Sequence, residues 1–224
     1  MDQKRIKKST SRAVVTTLLW LTLLIGIGLI AYPRIDARIQ QNKQEDLLTQ
    51  WSDKIRFRSN DPPSANAESL LQTPNAASVN LPIWKEVDGF QLLGSVRIDS
   101  IELNEPIVRG ADAKSLKQGA GSVVEDRLPG QAGNFVLAGH RSWTFGRHFN
   151  RLGELKPGDE IDIDTSAGLY RYSITETTLV LPEDLSVLDN NAGDDSVLTL
   201  ITCHPKRNPT HRMIIKATLI KNEH

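Results

Sequence analysis

The sequence predicts a mostly β domain over residues 83–224, carried behind one N-terminal transmembrane helix. Three observations lead there. Residues 13–32, AVVTTLLWLTLLIGIGLIAY, hold no formal charge. From Trp84 onward, short apolar and β-branched runs alternate with turn residues. Helix-period patterning in that part is confined to a turn or two near residues 113–118 and 183–188.

Residues 1–12 form a basic tail, with Lys4, Arg5, Lys7, Lys8 and Arg12 against Asp2. The apolar stretch that follows is twenty residues long. At about 1.5 Å per residue it spans ~30 Å, the thickness of a bilayer's hydrocarbon core. A cleaved signal peptide would have an apolar centre of only about 7–15 residues and a small-residue cleavage site. The stretch therefore reads as an uncleaved signal-anchor with the basic tail in the cytoplasm and the C-terminal domain outside. A buried helix of this length in a soluble domain would normally carry a polar face, and this one has none. The whole chain has zero net charge, so beyond the tail the balance is acidic, with no basic block suited to a phosphate backbone. Nucleic acid is excluded as an expected partner. A single cysteine in 224 residues excludes an intramolecular disulfide framework and multi-cysteine metal sites.

Residues 33–82 connect anchor and domain. Ile35, Ile39, Leu48, Trp51 and Ile55 recur mostly at spacings of three and four, which predicts an amphipathic helix over 34–58 after Pro33. Its apolar stripe has three possible covers: the domain, lipid headgroups, or a second copy. Residues 59–82 contain Pro62, Pro63, Pro74 and Pro82 among Asn, Ser and Ala, the composition of a linker.

In the domain, strand-like runs fall at 92–98, 106–108, 134–138, 160–164, 170–181, 197–203 and 212–220. Lys156-Pro157-Gly158-Asp159 has Pro and Gly where a type II turn wants them. Ile161 and Ile163 alternate with Asp162 and Asp164, the pattern of a strand with one wet face. Many short strands without an internal repeat imply a sandwich or a closed barrel.

The chemistry concentrates at Leu198-Thr199-Leu200-Ile201-Thr202-Cys203-His204-Pro205, where an apolar run delivers the lone thiol to a strand end and Pro205 stops simple continuation. A single cysteine is most often a small buried hydrophobe. Cys203 is instead flanked by Thr202 and His204 at a strand terminus, where a nucleophile can be presented. An ordinary thiol, with a pKa near 8.5, is only a few per cent thiolate at neutral pH, so it needs a cation or a base beside it. Arg212 opens the next apolar run and supplies a cation for a thiolate or an oxyanion; the bland alternative is an ordinary surface arginine. Four histidines compete as base. His204 and His211 meet a parity objection, and His148 lies in the aromatic setting Phe145-Gly146-Arg147-His148-Phe149, which favours a structural role. His140, after Gly139 at the end of an apolar strand, is the best placed. A zinc site from Cys203, His204 and His211 fits poorly, because two adjacent residues would have to coordinate together. No cofactor or metal is expected.

Thr199-Leu200-Ile201-Thr202-Cys203 resembles the Thr-Leu-x-Thr-Cys signature of sortases, the cysteine transpeptidases of Gram-positive surfaces. Ala138-Gly139-His140-Arg141 upstream and Arg212 nine residues downstream match the same family in order. So do Leu128-Pro129-Gly130, Gly133-Asn134, Leu152 and Lys156-Pro157-Gly158-Asp159, and the resemblance covers roughly residues 89–220. It implies a closed eight-stranded β-barrel with short helices, and residues 83–224 as an extracellular catalytic domain. It also implies cleavage of an Leu-Pro-x-Thr-Gly-like (LPxTG-like) sorting signal after threonine. Cys203 would be the nucleophile, His140 the general acid and base, Arg212 the support for substrate and oxyanion, and Thr202 a substrate-binding residue. The implied partners are surface proteins with C-terminal sorting signals, a peptidoglycan precursor or other amine acceptor, and the cell membrane.

The pattern looks most similar to class D. Many of those read Ala-Gly-His-Arg-Asp-Thr and carry a histidine where this chain has Ser122; here the sequence is His140-Arg141-Ser142-Trp143-Thr144. Pilin-polymerising class C relatives usually carry an Asp-Pro-aromatic lid, and Asp61-Pro62-Pro63 lacks the aromatic. Two other readings compete: a Cys/His peptidase that releases proteins by hydrolysis, and a non-catalytic tethered β-domain with an inert Cys203.

Overall fold

The computed structural model describes residues 3–59, 81–141 and 148–220. Two compact units are present, Met1–Asn42 and Lys43–His224.

Helix α1, Gln3–Ser59, contains the apolar stretch Val14–Tyr32, which is long and apolar enough to cross a membrane. The helix continues through Pro33 rather than restarting after it. Proline has no N–H, so one intrahelical hydrogen bond is necessarily missing there. Within the second unit, Leu47 and Trp51 of α1 are buried in one cluster with Val87, Leu92 and Val108. Of the predicted stripe the domain covers Trp51, and the residue buried beside it is Leu47 rather than the expected Leu48, which is only half-buried.

The domain is built from nine strands: β1 Lys85–Val87, β2 Phe90–Ile98, β3 Leu103–Arg109, β4 Ala120–Ser122, β5 Gly133–Ala138, β6 Glu160–Thr165, β7 Gly168–Val180, β8 Ser196–His204 and β9 His211–Leu219. They hydrogen-bond in the order β1-β2-β3-β4-β5-β8-β9-β7-β6, and β6 pairs back onto β2. Eight strands, β2 to β9, thus close a ring, and β1 is a short edge strand beside it. Single 3-10 turns at Ser115–Lys117 and Ser186–Leu188 fall where short helical signals stood, and another 3-10 segment, His148–Glu154, follows β5. The Lys156-Pro157-Gly158-Asp159 turn closes with the Asp159 N–H donating to the Lys156 carbonyl at 3.1 Å, and Gly158 takes the positive φ of +94° that this turn requires.

Strand parity explains the core. Leu93, Val96, Ile107, Phe135, Leu137, Ile161, Ile163, Leu198, Leu200 and Ile215 fill the main cluster. Leu92 and Leu93 are adjacent, so their side chains leave opposite faces of β2. Leu93 enters the barrel and Leu92 goes under α1, which is why this strand carries no clean alternation. Closure brings β2 and β6 very close at Gly94, where a Cβ would collide with the Asp164 carbonyl oxygen. Only glycine fits that crossing, and β2 is irregular in register beside it.

On β6 Glu160 and Asp164 are exposed, as expected of a wet face, and Asp162 between them departs from that pattern. It is 7 % exposed, and Arg97 of β2 and Arg171 of β7 reach it at 2.7 and 2.8 Å. The hydrogen bond from Arg171, followed by that from Arg97, holds its carboxyl below the ordinary carboxylate range against the opposing effect of burial.

Candidate active site

Three adjacent strands, β5, β8 and β9, carry the sequence-predicted residues to one rim. β5 and β8 run parallel with Ala138 opposite Ile201, and the Gly139 N–H donates to the Ile201 carbonyl at 3.0 Å. That register sets the backbone of His140 beside the end of β8. β8 and β9 run antiparallel with Cys203 directly opposite Arg212 and His204 opposite His211. The nine-residue interval between thiol and guanidinium is therefore a hairpin that makes them cross-strand neighbours.

Cys203 is a half-buried free thiol. Arg212 donates from Nη1 to its Sγ at 3.5 Å. A guanidinium at that distance faces any negative charge that develops on a carbonyl attacked by the sulfur.

A second arginine holds the same strand end. Arg141 donates from Nη1 to the Cys203 carbonyl at 3.2 Å and lies 2.7 Å from Nδ1 of His204. The family signature contained Arg141, yet no role followed from it, because its targets are 62 and 63 residues away in sequence. The His204 ring is thereby engaged as an acceptor, and its pKa lies below the ordinary imidazole value through desolvation, helped by Arg141 and His211.

Thr202, expected to touch substrate, is 2 % exposed and donates its hydroxyl to the Gly139 carbonyl at 2.8 Å. It ties β8 to the residue before His140. Gly139 is small for a local reason: a Cβ there would meet the Phe149 ring at 2.6 Å. Phe149 is fully buried, and its N–H donates to the His140 carbonyl at 3.0 Å.

The His140 backbone is thus pinned, while the residue stays partly open to solvent. Among the described residues the ring makes no hydrogen bond to Cys203; it stands edge-on to the His148 ring, with centroids 6.3 Å apart. Partial burial lowers its pKa from the ordinary imidazole value; His148 and Lys117 push the same way and Glu105 opposes them. The other described imidazoles are engaged elsewhere: His148 with Glu105, His204 with Arg141, and His211 with Thr210. Glu105 and His148 form a buried pair that the sequence reading did not pick out. The available signal was parity, since Leu103, Glu105 and Ile107 share the inward face of β3. Among the described residues no cluster of three or more His, Cys, Asp or Glu side chains is arranged to hold a metal ion.

The family model described as "Sortase domain" matches residues 96–220. Sortase A of Bacillus anthracis is 28% identical over 200 residues, which is 89% of this chain and 91% of the relative. Sortase D of Bacillus subtilis (strain 168) is 33% identical over 142 residues, covering 63% of this chain and 66% of the relative. Among solved structures, a Clostridium perfringens Sortase D5 transpeptidase superposes with a TM-score of 0.60 at 27% identity, covering 80% of this chain and 99% of that one.

Proposed function

Because the chain belongs to the sortase family of cysteine transpeptidases, we propose that it cleaves an LPxTG-like sorting signal on surface proteins and transfers them to a cell-wall amine. The single observation that carries the reading is the cross-strand contact of Arg212 with the Cys203 thiol at the rim where β5 delivers His140.

The steps follow from the residues. The Cys203 sulfur attacks the threonine carbonyl, and its proton passes to His140. Arg212 faces the oxyanion of the tetrahedral intermediate. The threonine–glycine C–N bond breaks, His140 returns the proton to the departing glycine amine, and a thioester joins the substrate to Cys203. An incoming amine then attacks that thioester, His140 takes a proton from it, and the sulfur leaves to regain its proton. His140, with its pKa held low, rests as the neutral imidazole that this sequence needs as base. Catalytic hydrogen bonds commonly tighten only with substrate in place. The reading accordingly has the His140 ring turn from His148 toward the sulfur in the complex.

Residues 83–224 are the catalytic domain in this reading, and Val14–Tyr32 is the anchor that holds it outside the cell membrane. The relatives called Sortase D support placement nearest class D. Pilin polymerisation stands apart from it; the lid position Asp61-Pro62-Pro63 and the Ser142-Trp143-Thr144 departure lie outside the described residues.

The test is incubation of the protein in detergent micelles with a fluorogenic sorting peptide and an amine. Wild type is expected to yield the amide of the peptide's N-terminal part, and Cys203→Ala none. Equal product from both proteins sinks the proposal. Free acid alone, in the presence of amine, replaces transpeptidation by hydrolysis.

A further inference from the structure

Behind the rim lies a pair of ionisable groups that none of the steps above uses. Glu105 of β3 is 4 % exposed and His148 is 6 % exposed. His148 Nδ1 lies 2.9 Å from Oε1 of Glu105, and the Gln44 amide of α1 sits 3.4 Å from the same nitrogen. A carboxyl withdrawn from water needs a hydrogen-bonding partner, and the His148 ring supplies one. His148 also takes a positive φ of +48°, unusual for a residue with a Cβ. That backbone turn sets two contacts at once. It hands the next N–H, that of Phe149, to the His140 carbonyl at 3.0 Å, and it presents the His148 ring to the His140 ring at 6.3 Å in a T-shaped arrangement.

We propose that the buried Glu105–His148 pair is the positioning unit of His140: Glu105 fixes the His148 ring, and that ring is the wall against which the His140 imidazole is set at rest. The inference rests on His140 acting as the acid and base. Neither Glu105 nor His148 contacts the reacting atoms, so both are positioning residues acting through His140. The groups that bear electrostatically on the His140 ring are His148, Glu105 and Lys117. Removing the His148 imidazole while Glu105 stays removes a contribution that lowers His140's proton affinity and leaves one that raises it.

The test uses the full chain in detergent micelles with isotope-labelled histidine rings. In wild type an NOE joins the His140 and His148 rings, and its absence overturns the proposal without any variant. In His148→Gln the His140 titration midpoint moves up, the acid limb of kcat/KM moves up with it, and kcat falls about tenfold with KM near the wild-type value. A folded His148→Gln protein with an unmoved His140 midpoint and unchanged kcat also overturns it. Rescue adds a third readout. Glu105→Ala loses the acceptor for Nδ1 and lowers kcat, whereas Glu105→Gln keeps an acceptor oxygen and recovers most of the rate; equal rates in these two variants count against positioning. The ring NOE and the midpoint need no peptide processing, so they separate failure of this inference from failure of the proposed reaction.

Discussion

At the scale of single residues, the thiol and the guanidinium stand together while the imidazole is held back. Arg212 reaches Sγ at 3.5 Å across one hairpin, and His140 faces His148 in the free protein. In the proposed reaction Arg212 meets the oxyanion. Lysine would keep the charge and lose the planar, multi-donor head. Arg212→Lys is therefore expected to lower kcat/KM on the order of a hundredfold, as loss of an oxyanion donor does in other acyl-transfer enzymes. Steady-state kinetics on a sorting peptide decide it, and near-wild-type turnover would reduce the arginine to a loop-positioning role. Thr202 and Arg141 act on backbone instead, holding the Gly139 and Cys203 carbonyls.

At the scale of elements, the barrel's closing seam is the most demanding place. A side chain on Gly94 would collide with the Asp164 carbonyl, and backbone cannot yield as a side-chain tip can. Gly94→Ala should destabilise the domain by about 3 kcal/mol or more, the upper part of the range for overpacking. Urea denaturation followed by tryptophan fluorescence measures it, and a midpoint equal to that of wild type would mean the strands separate more easily than the seam implies. This also marks where sequence reading reached its limit. The strands of β5, β8 and β9 were legible because each is an apolar run stopped by Gly, Pro or a polar residue. The short strands β1 and β4 were not, since Lys85-Glu86-Val87 and Ala120-Gly121-Ser122 owe their state to the neighbours they pair with rather than to propensity. Asp162 read as solvent-facing because two arginines from other strands cover it, a fact of pairing that spacing does not carry. Cys203, His140 and Arg212 were legible as candidates from strand ends and an ordered motif set. The placing of the His140 ring was not, because it depends on Glu105 and His148 from two separate elements.

At the scale of the whole molecule, closure of eight strands converts distant sequence into one rim. Residues 138, 201 and 214 lie on three adjacent strands, so a motif near the middle of the chain and one near its end meet. The unit that begins at Lys43 takes the end of α1 onto its outer face through Leu47 and Trp51. Around that frame the central claim is chemical: Cys203 carries the substrate as a thioester between the breaking of one amide bond and the making of another. The most direct measurement is intact-protein mass spectrometry after brief exposure to a sorting peptide and an acid quench. The account predicts a covalent adduct equal to the peptide's N-terminal part through threonine, mapped to Cys203 and discharged by hydroxylamine. Turnover without any adduct on Cys203, or an adduct mapped to another residue, would contradict it.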